Sequence, residues 1–498
     1  MKRFHSSLHF LGALAILGML QTGAVECSPR EQESAAGGPV TFTHGVASGD
    51  IRPTSAILWT RVDRRTPVRV EVSTDPTFHR GVHRARGHAG AARDFTVRIE
   101  VEDLDPGTLY SYRFRAGESV SETGTFRTPP NRWVSANVRF AWSSDFDGSA
   151  DPPFNQFETL DRAREDGIDF FVYNGDNVYA DNAPACGADV ECIRGRYRQN
   201  RDYPALRSLF AATGSYAIWD DHEVYDDFAG ETVDPATLEA GRQAFEDYMP
   251  IRGHNPHVGF YRKFRWGKEV ELFILDERAF RSADATVACQ GDLLPTSPPD
   301  VRLLVGLPPD PPAGCLEVIG DTERTMLGWL QKRILQGDLL RSTATWKIVV
   351  NEVPIAELFG DPYDRWEGYA AERKEILDFL ADWGVRNVVF LTGDLHANII
   401  VDVRQSVFTD PTPRAKEFIA GPVAEDTLFE ELVGLLGSEE AANGFVGLLT
   451  SLTAPDCIEP NAFAYGLVDV DAATKQLTVT LKDGNGTAIC SFTLEAET

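Results

Sequence analysis

The sequence predicts an α/β domain built on a sheet covered on both faces, preceded by a smaller all-β domain. Three observations carry this. Residues 40 to 130 consist of short alternating strands with little helical periodicity, whereas from about residue 136 near-continuous apolar runs alternate with amphipathic segments. Apolar runs of this kind are expected of strands buried from both sides. Thirdly, those runs end repeatedly in acids and histidines, which places chemistry at one edge of the sheet.

In chain order, Lys2 and Arg3 followed by "LHFLGALAILGML" and "TGA" read as a signal peptide over residues 1 to 24, implying a secreted or periplasmic protein. Cys27 raises a lipid-anchored alternative, although Glu26 is the wrong residue before a lipidated cysteine. The Lys-Arg pair also leaves a twin-arginine-like route open beside the general secretory one. No later segment is long and apolar enough for a membrane helix.

In the region 40 to 130, "SAILWTRV", "PVRVEVST", "DFTVRIEVEDL" and "LYSYRFRA" are strands. The Pro-Gly turn before the Tyr-rich strand in "LDPGTLYSYRF" is a pattern of fibronectin- or Ig-like sandwiches, and "TPPNRW" is the linker. The second domain, 136 to 498, opens with the strand "NVRFAWSSD" and a helix in "FNQFETLDRAREDG" that stops at Gly167. Further strands are "DFFVYNGDNVY", "GSYAIWDDHE", "VELFILDER", "TWKIVVNEVP" and "RNVVFLTGDLH", with helices in "ERTMLGWLQKRIL" and "AERKEILDFLADW". A Pro-rich insertion at about 282 to 320 interrupts them. A loop of that length in a compact domain is more often a lid or rim than filler.

Net charge is −27 over 498 residues, which disfavours a nucleic acid or an anionic membrane as a stable partner. A small phosphate-bearing substrate is not excluded, provided local cations reverse the sign at one site. Apart from Cys27 there are six cysteines, an even number suited to an oxidising compartment. Six cysteines allow 15 connectivities, and the expectation among them is the local one, Cys186–Cys192 and Cys289–Cys315, with Cys457–Cys490 left over. Nothing in the sequence points to an oligomer, and a monomer is the expectation.

The strand ends hold the chemistry. Asp145 follows the first strand of the second domain, Asp176 and Tyr179 the next, Asp221 and His222 another, and Asp394 and His396 a late one. In open α/β folds the carboxyl ends of strands converge on one crevice. Carboxylates gathered there cannot all stay ionised without a cation. Carboxylate, phenolate and imidazole together suit hard metals. Singly, each has a plainer reading: a turn aspartate, a rim tyrosine, a hydrogen-bonded histidine, or, for Asp145, a cap on the helix that follows.

"NGDNVYAD", "WDDHEVYDDF", "LDERAFR", "DRWEGYAAERKEILDFL" and "TGDLHAN", in this order, resemble PhoD-type alkaline phosphatases and phosphodiesterases, as does the N-terminal "FTHGVASGDIRPTSAILWTRV". The resemblance implies a calcineurin-like metallophosphoesterase sheet sandwich with iron and calcium as cofactors. It implies that Asp176 bridges the metals, with Tyr179 and His396 toward iron and Asp221 and Asp394 toward the second ion. Arg278 is expected to hold a phosphate oxygen, its planar fork matching phosphate geometry, with Arg281 a weaker candidate. His222 and Arg278 would counter charge that grows in the transition state.

One departure stands out. Where the family carries a cysteine in an "SCQ"-like stretch, this chain has Ser144 and Asp145, so Asp145 is the natural replacement ligand. Oxygen in place of sulfur hardens the site and shifts its metal preference. The implied activity is two-metal hydrolysis of a small phosphate ester, in which the ions polarise phosphoryl oxygens and generate hydroxide. No G-x-S-x-G nucleophile motif competes with that reading. The alternatives are a phospholipase D-like phosphodiesterase and a secreted binding protein with structural metals.

Overall fold

The computed structural model describes residues 38–150, 153–359 and 362–497, and Val40–Thr498 form one contact unit. The signal peptide and Cys27 lie outside the described residues. Two large sheets dominate the unit. The nine-stranded sheet has at its centre Val138–Ser143, Phe170–Asn174 and Gly214–Ile218, three strands in parallel register. The seven-stranded sheet has at its centre Val270–Ile274, Trp346–Val350 and Val388–Thr392, again parallel. Apart from Arg139 and Glu271, the residues of these six strands are buried, as runs packed on both faces require.

The two sheets pack face to face. Phe170 meets Trp266 at a ring-centroid distance of 4.6 Å, and Trp266 Nε1 donates to Tyr216 Oη at 2.8 Å. Trp142 Nε1 donates to the Thr392 carbonyl at 3.2 Å, and Asn174 Nδ2 to the Asn351 carbonyl at 3.0 Å. These last two bonds tie together the carboxyl ends of strands from opposite sheets. A disulfide between Cys457, in the seven-stranded sheet, and Cys490, in the nine-stranded one, adds a covalent tie. The other two expected pairings, Cys186–Cys192 and Cys289–Cys315, are also formed.

The N-terminal strands divide between two sheets. His83–Ala89, Thr66–Ser73, Leu109–Ala116, Ser119–Val120 and Gly124–Arg127 form a five-stranded sheet. Phe42–Arg52, Ser55–Val62 and Thr96–Val101 instead extend the nine-stranded sheet, with Phe42–Arg52 parallel to Gly214–Ile218. Hydrogen bonding therefore crosses the sequence boundary at 130 to 136, and Trp59 Nε1 donates to the Asp247 carbonyl at 2.8 Å across it. A two-domain division remains a proposal about chain organisation, not a break in the sheet.

The insertion forms short helices, Thr286–Cys289, Pro299–Leu304 and Cys315–Ile319, stapled by Cys289–Cys315. Inside it, buried Arg302 pairs with Asp292 and bonds the Leu294 carbonyl at 2.6 Å, so this Pro-rich stretch carries its own polar core. Two helices outside the sequence expectations, Leu428–Leu436 and Glu439–Thr453, follow the strand Asp410–Ile419. Their signal was present. Thr427 and Glu430 form a capping box, and Gly437 closes the first helix with a φ of 81°.

Candidate metal centre

The strand ends converge as the sequence predicts, and the backbone turns sharply to bring them inward. Asp145, Asp176, Asp394 and His396 have φ values of 63°, 48°, 64° and 52°. Non-glycine residues rarely adopt the left-handed region, and such strain clusters at functional sites. Close packing holds the turns. A Cβ on Gly421, itself at φ 156°, would lie 2.5 Å from Asp145 Oδ2.

Around His396, Nε2 lies 3.2 Å from Tyr179 Oη and 3.5 Å from Asp145 Oδ1. Its Nδ1 bonds the Asp426 carbonyl at 2.7 Å and lies 2.7 Å from Glu431 Oε1. Asp145 accepts from Ser144 Oγ through Oδ2 at 2.5 Å, while its buried Oδ1 has no hydrogen-bond donor. The following helix starts at Glu158 with Phe157 as its cap, so Asp145 does not cap it.

The second cluster contains Asp176, Asp221 and His222, each offering one ligand atom within 4.8 Å of the others. Asp176 Oδ1 accepts from the His222 backbone N–H at 3.1 Å. The imidazole stacks on Tyr179 at 4.1 Å, and its Nδ1 is 2.9 Å from both oxygens of Asp181. Asp394 accepts from Arg365 Nε at 2.8 Å.

The electrostatics are those of acids held together against repulsion. Burial, then Asp220, Asp221, Glu223 and Asp145, push Asp176 well above the usual carboxylate range. Burial first, and Asp364 and Asp221 against the opposing arginines, raise Asp394 to about 6. Burial would lower His222, but Asp221 and Asp181 outweigh it and lift the ring to about 10. A buried Asp145 oxygen that accepts no hydrogen bond and faces His396 Nε2 at 3.5 Å, a repelled Asp176 and hard oxygen and nitrogen donors together fit a cation.

The arginines sit differently from the expectation. A grip on phosphate needs a donor edge open to the cleft, yet Arg278 is 0% and Arg281 1% exposed. Arg278 Nη1 and Nη2 bond Asp364 at 2.6 and 2.9 Å, its Nε pairs with Asp220, and Arg281 Nη1 bonds Asp364 at 2.7 Å. A buried guanidinium has to be paired, and here buried acids take the fork.

Sequence reasoning passed over Asp181, Glu223, Asp364, Arg365, Glu425 and Glu431. The first four lie within motifs already singled out, so their signal was present but unassigned. Glu223 accepts the Asn177 and Asp220 backbone N–H groups at 2.7 and 2.9 Å and braces the two acidic turns. Glu425 and Glu431 had no local signal, because the chain returns them to His396 from a distant segment.

Residues 140–481 match the PhoD-like phosphatase family, and residues 26–130 match the N-terminal domain of PhoD-like phosphatases. The alkaline phosphatase D of Bacillus subtilis (strain 168) is 28% identical over 399 residues, covering 72% of this chain and 64% of that protein. This chain thus aligns to somewhat less than two thirds of that relative's length. A solved structure of PhoD superposes with a TM-score of 0.73 at 22% identity, over 92% of this chain and 90% of the other. A purple acid phosphatase from yellow lupin seeds gives 0.56 at 13% identity, over 92% and 74% of the two chains. Those two likenesses show that the fold is shared with these phosphatases. With the family match spanning most of the chain and the paired sheets delivering its acidic motifs to one cleft, this protein belongs to the PhoD-like phosphatase family.

Proposed function

We propose that the chain is an exported, metal-dependent phosphoester hydrolase acting on small phosphate monoesters or diesters. The observation that carries this is the convergence of Asp145, Asp176, Asp221 and Asp394 on one cleft, with Asp176 raised by burial and four acidic neighbours. Asp145, Asp176, Tyr179 and His396 would hold one ion, and Asp176, Asp221 and Asp394 a second. Iron and calcium are the proposed pair, by kinship with PhoD-type enzymes, and an oxygen ligand at Asp145 moves the first site toward harder ions. When bound, the ions supply Lewis-acid charge to phosphoryl oxygens and lower the pKa of water.

The residues themselves divide the remaining work. Asp181 fixes the His222 ring through Nδ1, leaving Nε2, 4.0 Å from Asp226 Oδ1, as the proton-bearing edge. When protonated, that edge can stabilise negative charge on a transferring phosphoryl group or donate its proton to the leaving oxygen. Arg278 remains a proposed catalytic residue through its charge, holding Asp220, Asp221 and Asp364 in place, while Arg281 supports Asp364 from the other side. Arg365, adjoining Asp394 and 8% exposed, is the better placed of the three to meet substrate.

Export is proposed from the N-terminal sequence and supported by three disulfides. Among the described residues no helix is long and apolar enough to cross a membrane. The test of function is elemental analysis of purified protein, with hydrolysis of p-nitrophenyl phosphate and bis-p-nitrophenyl phosphate before chelation, after it, and after metal return. Turnover unaffected by complete metal removal would overturn the metal-dependent reading.

A further inference from the structure

We infer that Arg201, Tyr173 and Tyr197 form a buried site for a single halide ion, set in the framework of the two turns that carry Asp145 and Asp176. The site is independent of the hydrolase reading. The three residues, with Asn177, line a cavity of about 10 Å³, room for one body the size of a water molecule. Arg201 Nη1, Tyr173 Oη, Tyr197 Oη and Asn177 Oδ1 are buried and have no hydrogen-bond partner among the described residues. The four residues are between 1% and 5% exposed. Buried polar groups are almost always paired, so four of them at one small cavity point to an occupant.

Charge decides which occupant. A guanidinium donates and never accepts, and burial lowers this one only to about 10, so it stays charged at neutral pH. Arg201 Nη2 donates to the Tyr248 carbonyl at 2.6 Å, and its guanidinium carbon lies 4.2 Å from the Trp59 ring centre and 3.8 Å from that of Phe210. A carbonyl and aromatic rings attract a cation without neutralising it. Arg278, Arg281 and Arg302, buried as deeply, are each paired with an aspartate, whereas among the described residues no carboxylate pairs with Arg201. Asn177 Nδ2 is engaged by the Ile218 carbonyl and Glu223, and one tyrosine hydroxyl can serve its Oδ1. Arg201 and the other hydroxyl then still need an acceptor. A water would accept those bonds and leave the charge unbalanced; a halide does both. Phosphate, sulfate and carboxylate are too large for the space. Tyr197 and Arg201 come from the helix Val190–Asp202, and Tyr173 from the strand Phe170–Asn174. In the same helix Asn200 lines the cavity and donates to the carbonyls of Phe146 and Asn177 at 2.7 and 2.9 Å. Those two residues directly follow Asp145 and Asp176, so the ion would join helix and strand beside both turns.

The test reads the ion directly. Crystals of protein purified in sodium chloride are measured at long wavelength, and crystals of protein purified in sodium bromide at the bromine absorption edge. Expected in each map is an anomalous peak within hydrogen-bonding distance of Arg201 Nη1 and a tyrosine hydroxyl. In solution, with ionic strength held constant by gluconate, the melting temperature should rise by about 2–3 °C as bromide reaches roughly 100 times its dissociation constant. Arg201→Met should abolish that response, and Tyr173→Phe combined with Tyr197→Phe should weaken bromide binding by about tenfold or more. If Arg201→Met does not fold, the two maps of the unaltered protein and the tyrosine pair decide. A water-sized peak without anomalous signal in both crystals overturns the halide site. Bromide found there without chloride in the first crystal is an adventitious ion only and overturns it as well. So does a melting response to bromide that the substitutions leave intact.

Discussion

Asp176 accepts a backbone N–H from His222 and sits among four acids that raise it, so its charge is sustained by a cation or lost to a proton. Asp176→Asn should lower kcat by roughly 100-fold or more and reduce bound metal, since it removes the charged oxygen both ions need. The same substitution relieves repulsion in the metal-free protein, whose melting temperature should rise. Unchanged metal content together with an unchanged rate would make Asp176 an ordinary turn residue. Asp145 offers a second test at this scale. Asp145→Ala should lose one ion while the protein stays folded, and Ser144→Cys should shift metal preference toward softer ions. Elemental analysis of both variants decides; full occupancy in Asp145→Ala would remove it from the ligand set. Asp364 is structural in a stronger sense. Truncating it to alanine leaves buried Arg278 and Arg281 without their shared carboxylate, at a cost of about 3–5 kcal/mol by denaturant titration.

Glu367 accepts from the Leu358 and Phe359 backbone N–H groups and stands between Asp364 and the helix Ala370–Asp382 in the chain. Burial, then repulsion from Glu357, raises Glu367 from an ordinary 4.5 to about 7. Between those values the folded chain holds this proton more tightly than the unfolded chain does. Stability from this group is therefore highest below pH 4.5 and falls as pH rises through about 7, by on the order of 3 kcal/mol in all. Glu367→Gln removes the titration, so the difference in melting temperature between variant and parent should grow in the variant's favour from pH 5 to pH 8. A difference that stays constant with pH would mean the carboxyl is ionised throughout. The staple Cys289–Cys315 and the Arg302–Asp292 pair give the Pro-rich insertion internal order of its own.

At the scale of the whole molecule, two sheets are joined by aromatic packing and a disulfide, and their paired carboxyl edges hold the site. Exported native protein should give no reaction with a thiol reagent at the six cysteines from Cys186 to Cys490 until it is unfolded and reduced. Six free thiols in the native protein would contradict the oxidising compartment. The N-terminal strands belong to this unit in a way composition does not disclose. Their alternation marks them as strands, but whether Phe42–Arg52 pairs within its own sheet or beside Gly214–Ile218 depends on long-range register.

By itself the sequence determined the strands and the acidic turns that end them, because apolar runs ending in acids leave few other arrangements. It also favoured the disulfide pairs, by their nearness in the chain. Asp145, Asp176, Asp221 and Asp394 were legible since each belongs to a local pattern. Tertiary structure alone decided what surrounds them. That Arg278 faces Asp220 and Asp364, or that Glu431 reaches His396, follows from which segments the paired sheets bring together. The acidic positions are written in local turns, whereas their charge pairing inside the protein is set by contacts between residues far apart in the chain, which no local pattern encodes.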